Sequence, residues 1–124
     1  MGFGGQGHQV RDVLGVHDLY RLIDKQRLDI QHFEHSIWNV GGGPENSVSL
    51  CELTTLCQSL TGQTINIQSH PETRDADIPY YVTDTTAIKA HCDWRVSQTV
   101  NMLAESILAW IQQGDSQLKA VLAS

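Results

Sequence analysis

Apolar residues fall into short periodic runs, and each run predicts one element. From Val16 to about Leu28, Leu19, Leu22 and Ile23 recur at the spacing of one helix face. Ser49-Leu50-Cys51-Glu52 forms a capping box, in which a serine oxygen and a glutamate carboxylate satisfy free N–H groups at a helix start. That helix is expected to run to Thr61, with Leu50, Leu53, Leu56, Cys57 and Leu60 inward and Gly62 as its stop. Between Val100 and Gln112, Val100, Leu103, Ala104, Ile107, Leu108 and Ile111 make an apolar stripe, closed by Gly114. Leu118, Val121 and Leu122 could add a further turn or two. Gln9–Leu14, Ser36–Gly41 and Thr64–Gln68 read as strands, Pro79–Val82 as extended chain and Thr85–His91 as a short helix. The pattern predicts an α+β fold, a small mixed sheet with four or so helices. It divides into a flexible glycine-rich arm over 1–8, one domain over 9–113 and a tail over 114–124.

Length limits what such a chain can be. At 124 residues it is one domain with a modest core, too short for a complete two-domain oxidoreductase. No apolar run reaches bilayer-spanning length, and the opening Met1-Gly2-Phe3-Gly4-Gly5 lacks the regions of a secretion signal, so a soluble, cytoplasmic protein without a membrane partner is expected. The formal net charge is −6 and the eight Lys and Arg residues are scattered, the wrong footprint for nucleic acid. An anionic ligand would need a local cluster of cations and backbone N–H groups working against that field. Cys51, Cys57 and Cys92 carry no Cys-x-x-Cys pairing and read as packing residues, neither a zinc site nor a disulfide framework.

Four ordered segments carry chemistry. They are Gln9-Val10-Arg11-Asp12-Val13-Leu14 with Val16-His17-Asp18-Leu19; Trp38-Asn39-Val40-Gly41-Gly42-Gly43 with Asn46 to Leu50; Pro71 to Asp77; and Asp84 to Trp94. In that order they resemble the R-D-x-x-H-V-x-D-L, Y-N-x-G-G-G, R-x-G-D and D-x-x-K-x-x-x-x-x-G-W segments of extended short-chain dehydrogenase/reductases, the NAD-dependent epimerase/dehydratase family. The resemblance runs from about Gly4 to Ile111. The wording of Cys51 to Cys57 and of Pro71 to Arg74 looks closest to the CDP-paratose (CDP-tyvelose) epimerases of that family. It implies a partial C-terminal, substrate-binding domain, without the dinucleotide-binding half. The chain departs from the pattern at Gly15, where histidine is usual, at Ala76 in place of glycine, and at Asp93 to Val96 in place of G-W-x-P.

By that resemblance, Arg11 and Arg74 would bind the diphosphate of a CDP- or UDP-linked sugar and Asp77 a ribose hydroxyl. Forked guanidinium donors match phosphate oxygens, and a carboxylate accepts from a diol. Alternatively, both arginines are solvated surface charges. Asp12 and Asp18 read as structural, with Asp18 placed to cap a helix. Gly41 to Gly43 reads as a strand-to-helix connection needing positive φ, ahead of a phosphate cradle.

Catalysis by the chain alone is not expected. Gly2 to Gly7 spells G-x-G-x-x-G, but the dinucleotide fingerprint works only between a strand and a helix. The family's Tyr-x-x-x-Lys pair is missing, since Asp24, Asp84 and Thr85 stand four after Tyr20, Tyr80 and Tyr81. NAD is therefore the parent family's cofactor, with none expected in the isolated chain. His32 and His35, with Glu34 or Asp29, could suit a metal, and His70, Glu72 and Asp77 a hydrolase. Solvated side chains are the plainer account of the first, and the second lacks a nucleophile. Without a dinucleotide-binding half the chain should expose apolar surface and self-associate, or dock onto a separate dinucleotide-binding subunit. The rival to nucleotide-sugar binding is an oligomerising interaction protein that has lost the ligand.

Overall fold

The computed structural model describes residues 2–4, 6–34, 37–70 and 78–114. In chain order its elements are β1 (Gly2–Gly4), β2 (Val10–Asp12), α1 (Val16–Leu28), α2 (Ile30–Phe33), a 3-10 turn (Pro44–Asn46), β3 (Ser47–Ser49), α3 (Leu50–Thr61), β4 (Gln68–His70), β5 (Tyr80–Tyr81), α4 (Thr86–His91) and α5 (Val100–Gln113). The expected α+β class holds, with a three-stranded mixed sheet ordered β3-β2-β5 and five helices among the described residues. β2 runs antiparallel to β3 and parallel to β5.

Local signals place the helices. The Ser49–Glu52 capping box forms, with Glu52 N–H donating to Ser49 Oγ and Ser49 N–H to Glu52 Oε2. Gly62 ends α3 in the left-handed conformation. Thr99 caps α5 by accepting from the Met102 N–H. α2, a single turn without periodicity, was not expected.

Strands depart further from expectation. Ile37–Val40 is not a strand, and Ile37 is 98% exposed: the segment pairs with no strand among the described residues. The strand expected over Thr64–Gln68 lies instead at Gln68–His70, where it pairs in parallel with Gly2–Gly4. That pairing also corrects the arm expected over 1–8, since Gly2–Gly4 is strand β1.

The core is small. Leu22 of α1, Ile88 of α4 and Trp94 are its buried apolar members, with Leu14, Phe33, Trp38, Val40, Cys92 and Val96 packed around them. Trp94 anchors α1, its indole N–H donating to the Asp18 carbonyl at 2.9 Å. The inward faces expected for α3 and α5 meet each other, yet neither helix has a buried residue. Cys57, expected as a packing residue, is exposed, while Cys51 and Cys92 are half-buried. Among the described residues no helix is long and apolar enough to cross a membrane.

Candidate functional site

β2 carries Arg11 and Asp12, and strand alternation sends them to opposite faces of the sheet. Asp12 turns inward. Its Oδ2 accepts the Gly43 N–H at 3.0 Å and it is further bonded to Thr83. Burial pushes the Asp12 pKa up, but hydrogen bonds from Gly43 and Thr83 outweigh this and hold it below the ordinary carboxylate value. The glycine run therefore serves as a connection. Gly43 sits at φ +74°, and a Cβ on Gly42 would run into the Val13 carbonyl.

Arg11 turns outward and is exposed. Its guanidinium donates to the Val10 carbonyl at 2.8 Å, and among the described residues it has no carboxylate partner. Its register partners are Val48 on β3 and Tyr81 on β5. Paired residues share a face, so the exposed Tyr81 stands beside Arg11. Tyr81 carried no signal of its own in the sequence, because its place depends on the parallel pairing of β5 with β2. Arg74 and Asp77 belong to the connection from β4 to β5 and lie outside the described residues, as do Glu72 and His35.

Asp18 and Asn46 tie α1 and the chain after β2 to the start of α5. Asp18 has no exposed surface, and it does not cap α1, contrary to expectation. Its carboxylate instead accepts from Ser97 N–H (2.9 Å), Ser97 Oγ (2.6 Å), Gln98 N–H (3.0 Å) and Arg21 (2.9 Å). Burial raises its pKa; the bonds from Ser97 and Gln98, aided by the charge of Arg21, bring the net value below the ordinary one. Asn46 donates to the Val13 and Gln98 carbonyls and accepts the Val100 N–H, joining β2 to the start of α5.

Other candidates resolve differently. His32 stacks on His91 with ring centroids 4.2 Å apart, and each Nε2 donates to the other residue's carbonyl. Among the described residues no three His, Cys, Asp or Glu side chains are grouped to hold a metal ion. A cleft of about 220 Å³ touches Lys89 and Arg95, but Lys89 pairs with Glu45 and Arg95 donates to carbonyls. Within the Gly2–Gly7 run, Gly2–Gly4 is strand β1, and the next element among the described residues is strand β2.

No protein-family model matches the chain. Over 90 residues it is 31% identical to a CDP-paratose 2-epimerase of Salmonella typhi, a match covering 73% of this chain and 26% of that protein. Its fold is similar to part of a UDP-glucose 4-epimerase of Thermotoga maritima solved with UDP-glucose (TM-score 0.70, 19% identity, 91% of this chain and 35% of that one). It is similar also to part of a dTDP-glucose 4,6-dehydratase of Bacillus anthracis solved with NAD (TM-score 0.70, 24% identity, 90% and 34%). The chain thus spans about a quarter of the curated relative it matches and about a third of these solved chains.

Proposed function

We propose that the chain is a nucleotide-sugar-binding portion of an epimerase/dehydratase-like protein. It holds the diphosphate of a CDP- or UDP-linked sugar through Arg11 and Arg74, and a ribose hydroxyl through Asp77. The observation that carries this reading is Arg11, an exposed guanidinium without a carboxylate partner among the described residues, beside the exposed ring of Tyr81. Forked donors suit diphosphate oxygens, and the tyrosine offers an aromatic face and a hydroxyl to the nucleoside. The sequence likeness to a CDP-paratose 2-epimerase and the fold shared with a protein solved with UDP-glucose support the ligand class. With no Tyr-x-x-x-Lys pair and no dinucleotide cradle, this portion binds and orients while redox chemistry falls to another domain or chain.

Thermal unfolding with CDP, UDP, dTDP, CDP-glucose, UDP-glucose and NAD tests this. A ligand at a hundred times its Kd adds about 2.7 kcal/mol to the folded state. A nucleotide diphosphate is expected to raise the midpoint and NAD to leave it in place. Arg11→Ala and Arg74→Ala should each abolish the rise. A midpoint unmoved by every nucleotide would reject the proposal in favour of a second reading, an interaction protein or a subunit docking onto a separate dinucleotide-binding chain. The apolar faces of α3 and α5, which the described residues leave without a buried side chain, favour that reading.

A further inference from the structure

Lys89 of α4 and Arg95 line one cleft of about 220 Å³, together with Gly42, Glu45 and residues 96–99. Neither cation is saturated there. The Lys89 side chain is only 24% exposed, yet its ammonium makes no hydrogen bond among the described residues. The carboxylate within ion-pair reach, Glu45, stands 3.6 Å away, beyond hydrogen-bond length. A polar group so far removed from water normally has a hydrogen-bond partner. Arg95 spends a single nitrogen, Nη1, on the carbonyls of Lys89 and Trp94. Its Nε and Nη2, the side-on fork of the guanidinium, have no partner among the described residues. Such a fork grips two oxygens of one anion. The N–H groups of Ser97 and Gln98 are spent on Asp18, so these two side chains carry the positive charge of the cleft.

We propose that this cleft binds a phosphate dianion, free or as the monoester end of a small molecule, between the Lys89 ammonium and the open fork of Arg95, displacing Glu45. Charge selects the class. An ammonium and a guanidinium together carry two positive charges, and a phosphate monoester carries about −1.5 to −2 near neutral pH, where a carboxylate or a phosphodiester carries one. Shape agrees, since a tetrahedral anion offers two oxygens to the fork and a third to the ammonium. Size limits the rest of the ligand: the cleft is smaller than the roughly 300–1,000 Å³ of pockets that enclose drug-sized molecules. Glu45 is 73% exposed, and an ion pair so open to water holds its carboxylate weakly. It therefore serves as a replaceable internal anion that keeps the cleft from standing doubly positive. The site is separate from that of the nucleotide sugar. Arg11 is not among the residues lining the cleft. Gly42, which is, precedes the Gly43 held by Asp12, and Asp12 alternates to the other face of β2 from Arg11.

Titrating the isotope-labelled chain with inorganic phosphate, glycerol 3-phosphate and acetate, followed by amide NMR, tests the proposal. Both phosphates should give saturable shifts at Lys89, Arg95 and residues 42–46 and 96–99, and the tighter of the two tells free phosphate from a monoester. Acetate, with one charge, should bind at least about tenfold more weakly. Lys89→Gln and Arg95→Gln should each weaken phosphate binding about tenfold or more, whereas Glu45→Gln should strengthen it severalfold. Arg11→Ala should leave it unchanged, so this site and the nucleotide-sugar site fail independently. The proposal is overturned if neither phosphate gives saturable shifts in the cleft, if acetate binds as tightly, or if Glu45→Gln brings no gain. Phosphate shifts that vanish in Arg11→Ala also overturn it, and would mean that the anion sits at Arg11. Should circular dichroism show that Lys89→Gln or Arg95→Gln does not fold, Glu45→Gln, at an exposed position, and the comparison with acetate decide.

Discussion

Adjacent residues Arg11 and Asp12 have opposite surroundings, because a strand turns one toward solvent and the other into the frame. The division was legible in part: both aspartates were read as structural, but the partners of Asp18 sit about eighty residues on, at Ser97 and Gln98, where no local pattern reveals them. Asp18→Asn swaps an acceptor for a donor facing those N–H groups and is expected to cost about 2–3 kcal/mol, read from urea unfolding followed by tryptophan fluorescence. The pKa values of Asp12 and Asp18 are lowered in the folded state. Their contribution is therefore complete above the ordinary value of about 3.9 and is lost as pH falls through the depressed values. Stability should decline in that acid range, less steeply in Asp18→Asn. Wild-type stability that holds or rises on acidification would contradict this.

Elements differ in how openly the sequence announces them. α1, α3 and α5 were legible because periodicity, the Ser49–Glu52 box and the Gly62 stop act within a few residues of one another. Strands depend on distant partners: β1 and β4 define each other across more than sixty residues, and Ile37–Val40 has the composition of a strand yet joins neither sheet among the described residues. Two substitutions test the local account of α3. Ser49→Ala removes the capping oxygen and should cost about 1 kcal/mol. Gly62→Ala should cost about 1 kcal/mol as well, through φ +67° alone, since nothing lies within 4 Å of the added Cβ. Both are read as shifts in the denaturant midpoint. A Gly62→Ala chain as stable as wild type would mean that α3 does not need its left-handed end.

For the whole molecule, a core built on Leu22, Ile88 and Trp94 holds α1 and α4 together while the sheet presents Arg11 on one face and the described residues leave the apolar groove between α3 and α5 open. The α+β class followed from periodicity and motif order. Tyr81 beside Arg11 did not, because a parallel register between strands nearly seventy residues apart brings them together. Titrating the isotope-labelled chain with CDP and UDP, followed by amide NMR, tests the central claim most directly. The account predicts saturable shifts at Arg11, Tyr81 and residues 71–77, little change along α3 and α5, and loss of the response in Arg11→Ala. Spectra unmoved by either nucleotide, or shifts confined to the α3–α5 groove, would contradict it.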